Sequence, residues 1–165
     1  MSLRVVDDPP DRASWVSEAI GLILDTTRRA RQGLLERVAR ASDVDLANGT
    51  DERWGLGQVA VHLLIVDRGG MHIALRLAQA AEPGPTGQPR PAASAVTRPG
   101  VETLAEKVAA AAVRLAAEFP SNPDTSRTAR HPYYGDLNCF GWLLMLPTHY
   151  QAHLEALDHG RPSAL

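Results

Sequence analysis

Four long segments of this chain repeat apolar residues every three to four positions, and this repeat limits the folds that the chain can adopt. Such spacing places the apolar side chains on one stripe of an amphipathic helix. Alternation of apolar and polar residues, the pattern of a half-buried strand, is almost absent. The sequence therefore predicts an all-α four-helix bundle. Its helices should cover about Arg12–Arg40, Leu56–Ala81, Val101–Phe119 and Leu137–Asp158, with Asp136 as the N-cap of the last.

The chain of 165 residues is long enough for one domain, and we expect residues 1–165 to form a single bundle with its core at about 12–158. The only cysteine, Cys139, has no partner for an internal disulfide and is expected to be a packed thiol. No apolar run is long enough for a signal peptide or a membrane span, so we expect a cytoplasmic protein without membrane contact.

The charge of the chain argues against nucleic acid as a partner. The formal net charge is −2 and the pI is about 6.3, so no basic field surrounds the protein. The arginines of the run RRARQGLLERVAR alternate with apolar residues at helical spacing, and Glu36 lies among them. We interpret this run as the solvated face of the first helix rather than as a phosphate-binding surface.

Between the second and third predicted helices lies the run EPGPTGQPRPAASAVTRPG, which contains prolines at positions 83, 85, 89, 91 and 99. Proline lacks a backbone N–H and disfavours helix, so this run is expected to be a long surface connection. A loop of this length is unusual within a compact domain and needs a structural reason.

His149 and His153 lie four positions apart in the last predicted helix, on one stripe with Trp142 and Met145. The helical period therefore assigns both imidazoles to the bundle interior. His62 occupies a similar apolar stripe of the second helix. A buried imidazole needs hydrogen-bond partners or a metal ion, since an unsatisfied polar group costs about 1–3 kcal/mol. The pattern fits a shared metal site and also fits separately hydrogen-bonded core histidines.

The positions of these histidines along their helices constrain the topology. His62 lies about 10 Å from the start of the second helix, and the other two lie about 10 Å from the end of the fourth. The three rings can meet only if these helices are antiparallel. If the third helix is also antiparallel to the fourth, the second and third are parallel. The proline-rich run must then cross about 35–40 Å, which it can span at about 3.3 Å per residue, and the expected order is up-down-down-up.

The remaining histidines and one proline have weaker indications. His72 is expected at the surface or edge, because it lies about 15 Å along and some 80° around the helix from the histidine of the same segment. His159 lies past the histidine pair, near the frayed helix end. His131 precedes a proline in a loop, where a turn role and a position at the rim of the site both fit the sequence. Pro147 lies just before the pair and either aims the imidazoles or is a tolerated kink.

The stretch WGLGQVAVHLL opens the second predicted helix, and HPYYGDLNCFGWLLMLPTHYQAH leads into the fourth. Together they resemble the DinB-like superfamily of metal-binding four-helix bundles, which includes the YfiT-like proteins and bacterial thiol S-transferases. In the first stretch the family pattern is a tryptophan, a small N-cap residue, an acid or amide, an aliphatic residue and then a histidine. The matching residues are Trp54, Gly55, Gln58, Val59 and His62. Gly55 replaces the more common serine, and Gln58 stands where an acid is common.

The second stretch is similar to the family's run His-Pro-x-aromatic-Gly-x-Leu, followed by a tryptophan and then His-x-x-x-His. The matching residues are His131, Pro132, Tyr134, Gly135, Leu137, Trp142, His149 and His153. The resemblance covers nearly the whole chain, including the helix order and the long connection. It implies a bundle with parallel middle helices, a homodimer in many relatives, and His62, His149 and His153 as metal ligands.

A neutral three-imidazole site suits Zn²⁺ or Ni²⁺, and Mn²⁺ and Fe²⁺ are also compatible with it. The resemblance favours transfer of a low-molecular-weight thiol to an electrophilic small molecule. A metal-dependent hydrolase that uses a metal-bound water and a metal-binding or interaction protein without turnover are the alternatives. Tyr133, Tyr134 and Tyr150 are candidates for lining the pocket, whereas Glu155 and Asp67 point away from the metal stripe and receive no role.

Overall fold

The computed structural model describes residues 12–160, and long helices dominate this part of the chain. The elements are α1 (Arg12–Arg40), α2 (Asp43–Leu46), α3 (Leu56–Ala78), α4 (Arg98–Glu118), α5 (Cys139–Asp158), a 3-10 turn (Ala93–Ala95), β1 (Ala129–His131) and β2 (Gly135–Leu137). The predicted all-α four-helix bundle is confirmed, with α1, α3, α4 and α5 as its long helices. None of the helices in this range combines the length and hydropathy that crossing a bilayer requires. The predicted domain also includes residues 1–11 and 161–165, which lie outside the described residues.

Contacts at the helix ends define the directions of the long helices. Just beyond the C-terminus of α3, the Gln79 side chain donates to the carbonyl of Glu118 in α4 at 3.4 Å, so α3 and α4 are parallel. Arg37 near the end of α1 pairs with Asp158 at the end of α5 at 2.6 Å, so α1 and α5 are parallel as well. His62 near the start of α3 contacts the C-terminal half of α5, so these two are antiparallel. The up-down-down-up order is confirmed.

α3 is the central helix of the bundle, since it packs against both α4 and α5. Gly70 lets α5 approach closely, because a Cβ at this position would lie 2.9 Å from Leu146 Cδ2. Leu63 and Leu64 of α3 and Leu143 and Leu146 of α5 are at most 1% exposed. Full burial of one such side chain contributes about 1.5–3 kcal/mol. This apolar contact holds α3 and α5 together on either side of their polar residues.

A buried ion pair joins α1, α3 and α5. Arg31 donates to Asp67 Oδ2 at 2.7 Å, and the Tyr150 hydroxyl donates to the same oxygen at 2.8 Å. Burial raises the pKa of Asp67 against the opposing effects of Arg31 and Tyr150, and burial beside this carboxylate raises the pKa of Tyr150. Tyr150 was a candidate for lining the pocket, but it is buried and its hydroxyl binds Asp67. The sequence analysis gave Asp67 no role, and in the structure Asp67 pairs with Arg31.

The structure corrects two predicted ends around the proline-rich connection. α3 ends at Ala78 rather than at Ala81, and α4 begins at Arg98 rather than at Val101. Pro99, which we expected in the connection, lies in the first turn of α4, where its missing N–H would have no helical partner in any case. The connection therefore covers residues 79–97, which we call the crossover.

The start of α5 also differs from the prediction. α5 begins at Cys139, two residues later than Leu137, and its N-cap is Asn138 rather than Asp136. Asn138 Oδ1 accepts from the backbone N–H of Gly141 at 3.0 Å. Asp136 lies in β2, paired with a residue of β1, so the hairpin keeps it out of the cap position.

Four short elements were absent from the prediction: α2, the 3-10 turn, β1 and β2. α2 is a single turn closed by a capping box, in which Ser42 Oγ accepts from the N–H of Asp45 and the Asp45 carboxylate accepts from the N–H of Ser42. β1 and β2 form an antiparallel hairpin, and Gly135 at its turn has a φ of 76°. Elements of three or four residues are too short to show an apolar repeat, which explains why the sequence pattern missed them.

Removing the buried carboxylate should destabilise the fold strongly. We expect Asp67→Ala to lower the free energy of unfolding by about 3–5 kcal/mol, because it leaves the Arg31 charge buried without its partner. The matched control is Asp158→Ala, which removes an exposed ion pair and should cost much less. Urea unfolding followed by circular dichroism measures both. Equal losses for the two variants would show that the buried pair does not stabilise the bundle.

Candidate metal centre

Three imidazoles from two helices converge inside the bundle. His62 belongs to the second turn of α3, and His149 and His153 belong to the C-terminal half of α5. Nε2 of His149 lies 3.3 Å from Nε2 of His62 and 3.0 Å from Nε2 of His153. One ring nitrogen of each histidine lies within 4.8 Å of the other two. The structure therefore brings together the three histidines that the sequence singled out.

Trp54 closes one side of this histidine cluster. Its ring centroid lies 4.9 Å from that of His62, and its plane is nearly parallel to that of His153 at 6.3 Å. The guanidinium of Arg90 lies over the Trp54 ring, 5.6 Å from the centroid. His62 and His153 are 1% and 2% exposed, whereas His149 is only partly buried. His149 is therefore the most accessible member of the cluster.

Gly55 is the N-cap of α3 and so determines where His62 falls along the helix. Its backbone is extended, with φ −83° and ψ 175°, as expected of an N-cap residue. A Cβ at this position would overlap the carbonyl oxygen of Asn48. A serine therefore does not fit here, which gives a steric reason for the departure from the motif.

Gln58 fastens the N-terminus of α3 to two loops. Its Oε1 accepts from the backbone N–H of Gly55 at 3.2 Å and so helps to cap the helix. Its Nε2 donates to the carbonyls of Thr50 at 3.2 Å and of Pro91 at 3.0 Å. A carboxylate has no hydrogens to donate, so an acid at this position could not make the last two bonds. The crossover beside Gln58 thus explains the second departure from the motif.

The carbonyl of Pro89, also in the crossover, fixes the tautomer of His62. It lies 2.8 Å from Nδ1 of His62, and a carbonyl oxygen only accepts, so Nδ1 carries the hydrogen and donates it. Nε2 of the neutral ring then directs its lone pair toward the other two histidines. Histidines that bind metals commonly donate their second ring nitrogen to a carbonyl or carboxylate in this way.

All three imidazoles of the cluster are neutral near pH 7. Burial lowers the pKa of His62, and burial together with the neighbouring imidazoles lowers the pKa of His149 to about 3. Burial and the neighbouring His62 lower the pKa of His153 to about 4. A hydrogen on Nε2 of His149 can point at only one of its two neighbours, and Nδ1 of His153 has no partner among residues 12–160. The cluster therefore presents more lone pairs than hydrogens to satisfy them.

The spacing of the three nitrogens fits a metal ion. Zn–N distances of about 2.0–2.1 Å at tetrahedral angles place neighbouring ligand nitrogens about 3.3 Å apart. The two short spacings in the cluster, 3.3 and 3.0 Å, are of this size. Three protein ligands also leave a coordination position for water or substrate. The histidine cluster could therefore bind a metal ion, although nitrogen ligands alone do not select which one.

α5 remains helical through Pro147, two residues before His149. Proline lacks the N–H that would bond to the carbonyl of Leu143. Beside it, the hydroxyl of Thr148 donates to the carbonyl of Met145 at 2.8 Å. His149 and His153 thus share one helix at the four-residue spacing from which both rings reach a common point.

His131 lies in β1, outside the cluster but close to it. Its Nδ1 accepts from the backbone N–H groups of Tyr133 and Tyr134 at 3.2 and 3.3 Å, which stabilises the hairpin turn. The ring also lines a cleft, and it is near enough to His149 for their repulsion to help lower the pKa of His149. His131 therefore has the predicted turn role, and its ring lines a cleft outside the cluster. Tyr133 and Tyr134 are exposed on the hairpin.

The other candidates lie apart from the cluster. His72 is exposed, as predicted, and His159 is exposed with its Nδ1 2.7 Å from the carbonyl of Glu155. Cys139 is buried, with its thiol 3.5 Å from the carbonyl of Asp124, and burial raises the pKa of this thiol. This environment is that of a packed thiol, as the sequence indicated.

Comparison with known proteins identifies the family. Residues 8–157 match the sequence profile of the DinB superfamily. The chain belongs to that superfamily. A solved structure described as TT2238, a four-helix bundle protein, shares the fold with a TM-score of 0.64 and 24% sequence identity, covering 85% of this chain and 98% of that one. A search of curated proteins found no match.

Two supporting groups of this DinB-superfamily protein had no clear signal in the sequence. The carbonyl of Pro89 bonds to His62 through a backbone atom, which every residue carries. Arg90 packs on Trp54 from a loop whose path the apolar repeat does not describe. Gln58 stood in the motif, but its two bonds to distant loops followed only from the structure.

We expect Gln58→Glu to destabilise the protein by about 2–4 kcal/mol at pH 7, because the carbonyls of Thr50 and Pro91 lose their donor and a charge is introduced at a position that is 1% exposed. The matched control, Gln79→Glu, makes the same chemical change at an exposed position and should cost less than about 1 kcal/mol. Urea unfolding gives both values. If Gln58→Glu costs no more than the control, Gln58 does not hold the crossover.

The buried neutral histidines should make the metal-free protein sensitive to acid. The unfolded state takes up protons below the ordinary histidine pKa of 6.5, whereas folded His149 and His153 stay neutral down to about 3 and about 4. Stability is therefore full above pH 6.5 and falls as the pH drops toward 4, by up to about 1.4 kcal/mol per pH unit for each group.

This loss can be measured by urea unfolding in the presence of a chelator between pH 7 and pH 4. His149→Gln should make the pH dependence shallower, because it removes one of the buried histidines whose pKa is lowered. His72→Gln, at an exposed position, should leave the slope unchanged. The same slope in wild type and His149→Gln would contradict a neutral buried imidazole at position 149.

Proposed function

We propose that this protein is a metal-dependent enzyme that transfers a low-molecular-weight thiol to an electrophilic small molecule, with His62, His149 and His153 as ligands of Zn²⁺ or Ni²⁺. The observation that carries the proposal is the convergence of three neutral imidazoles, two of them buried, at spacings of 3.0 and 3.3 Å between Nε2 atoms. A divalent ion held there would lower the pKa of a thiol or water that binds to it.

The residues around the cluster would support such a site. The carbonyl of Pro89 holds His62 in the tautomer that leaves Nε2 free to bind a metal. Trp54 covers the rings of His62 and His153 and keeps water from that side.

The carboxylates near the cluster favour thiol transfer over hydrolysis. The group of potential ligands within residues 12–160 contains only histidines. Asp67 is engaged by Arg31 and Tyr150, and Glu155 is exposed and accepts from Gln151 at 2.9 Å. Neither is placed as a general base. A thiol, with an ordinary pKa of about 8.5, needs less help to ionise than water at about 15.7.

Metal content gives the first test. Protein purified without chelator and without a nickel column should contain close to one equivalent of a divalent metal. We expect His149→Ala to weaken metal binding at least about tenfold, because it removes a ligand directly. His72→Ala is the matched control and should retain the wild-type metal content. A wild-type protein that binds no divalent metal would overturn the proposal.

Activity gives the second test. The metal-loaded protein is offered glutathione, mycothiol or bacillithiol with 1-chloro-2,4-dinitrobenzene, so that a C–S bond forms, chloride leaves and the thiol proton passes to solvent. We expect thioether formation with at least one thiol, lost in His149→Ala and retained in His72→Ala. Hydrolysis of p-nitrophenyl acetate without thiol would favour the hydrolase, and metal binding without either reaction would favour a binding protein. The homodimer, the cytoplasmic location and the absence of nucleic-acid partners stay predictions.

A further inference from the structure

A cleft of about 190 Å³ lies beside the histidine cluster, between α3, the crossover and the β-hairpin. Val66, Gly69 and Ile73 form one wall and continue the stripe of α3 that contains His62. Gly69 leaves room in this stripe, since a Cβ there would meet no atom within 4 Å. The cleft is smaller than the roughly 300–1,000 Å³ of sites for drug-sized ligands, so it suits a small molecule.

Two residues connect the cleft to the cluster. Pro89 lines the cleft, and its carbonyl accepts the hydrogen of His62 Nδ1 at 2.8 Å. His131 also lines the cleft, and it lies close enough to His149 to help lower the pKa of that histidine. A molecule in the cleft would therefore lie near the histidine cluster, on the side of His62 Nδ1 and of His131.

The lining of the cleft indicates what it would accept. None of the thirteen described residues around it is Asp, Glu, Lys or Arg. Val66, Ile73 and Trp142 supply apolar surface, and the few polar side chains include Thr86 and Gln88. Binding a charged molecule here would leave its charge without a partner, which is costly. The cleft thus favours an uncharged, largely apolar molecule.

His131 supplies a hydrogen-bond donor of fixed direction. Because Nδ1 accepts from the backbone N–H groups of Tyr133 and Tyr134, the hydrogen of the neutral ring is on Nε2. No residue between 12 and 160 is bonded to this nitrogen, and it is not among the buried atoms that lack a partner. His131 is 5% exposed and its ring lines the cleft, so this N–H is the donor that it can offer to a molecule bound there.

We infer that this cleft binds the electrophilic substrate, an uncharged apolar molecule with an oxygen acceptor, and that His131 donates its Nε2–H to that oxygen. The inference rests on the proposed function for the role of the bound molecule. It adds the substrate class and a binding residue outside the metal ligands. Carbonyl compounds, including α,β-unsaturated ketones, have the required combination of apolar surface and an accepting oxygen.

The test measures binding of unreactive probes by NMR, so that it needs neither metal nor thiol. ¹⁵N-labelled protein, as purified and again with chelator, is titrated with cyclohexanone and separately with cyclohexanecarboxylate, which is of similar shape but charged. We expect cyclohexanone to shift the amide resonances of residues 65–73 and of His131. Cyclohexanecarboxylate should bind at least about tenfold more weakly, because burial of its charge is not compensated.

Two variants locate the probe. His131→Asn keeps an oxygen that can accept from the hairpin N–H groups, as in an Asx turn, but removes the Nε2–H, and should weaken cyclohexanone binding about three- to tenfold. Gly69→Leu places bulk in the wall of the cleft and should abolish the shifts. His72→Ala should bind as wild type. In the thiol assay, His131→Asn should raise the KM for a ketone electrophile and leave the KM for the thiol unchanged.

The outcomes separate this inference from the proposed function. Cyclohexanone shifts that are absent, lie elsewhere, or survive both variants would overturn the cleft assignment even if the protein binds metal and transfers thiols. Equal binding of the carboxylate would overturn the substrate class. Cyclohexanone binding as expected, in a protein that binds no metal, would uphold the cleft and overturn only the proposed function.

Discussion

The antiparallel register of α3 and α5 is the constraint on which the rest of the structure depends. Buried polar groups lie on both helices, and each meets its partner only in this register. His62 meets His149 at 3.3 Å, and Asp67 meets Tyr150 at 2.8 Å. A slip of one turn would part the Tyr150 hydroxyl from Asp67 and His62 from His149, and a buried polar group that loses a partner costs about 1–3 kcal/mol. Apolar packing brings the helices together, and these polar contacts select one alignment.

The helices and the histidine cluster could be predicted because both follow from the helical period. Apolar stripes identified the long helices, and polar rings on two of those stripes identified His62, His149 and His153. The short α2 and the β-hairpin could not be predicted in this way, because neither is long enough to repeat a pattern. The N-cap of α5 was assigned to Asp136 instead of Asn138 for a related reason. Both residue types cap helices, and only the hairpin pairing of Asp136 decides between them.

The departures from the family motif have one origin in the loops that surround the start of α3. The carbonyl of Asn48 excludes a side chain at position 55, so the N-cap is glycine and cannot accept from the helix N–H groups. Gln58 accepts from the N–H of Gly55, which an acid could also do, and its amide nitrogen donates to Thr50 and Pro91, which an acid could not do. Both departures are thus explained by the loops that pack around the start of α3.

The proline-rich crossover supports the centre through its backbone carbonyls. Proline has no backbone N–H but keeps its carbonyl. The carbonyl oxygens of Pro89 and Pro91 accept from His62 and Gln58. Such support is independent of side-chain identity at the contributing position, so ordinary point substitutions in the loop leave these acceptors in place. Insertions and deletions act differently, because a single added or missing residue displaces both carbonyls at once. A change in the length of the crossover should therefore disturb the histidine cluster more than a change in its sequence.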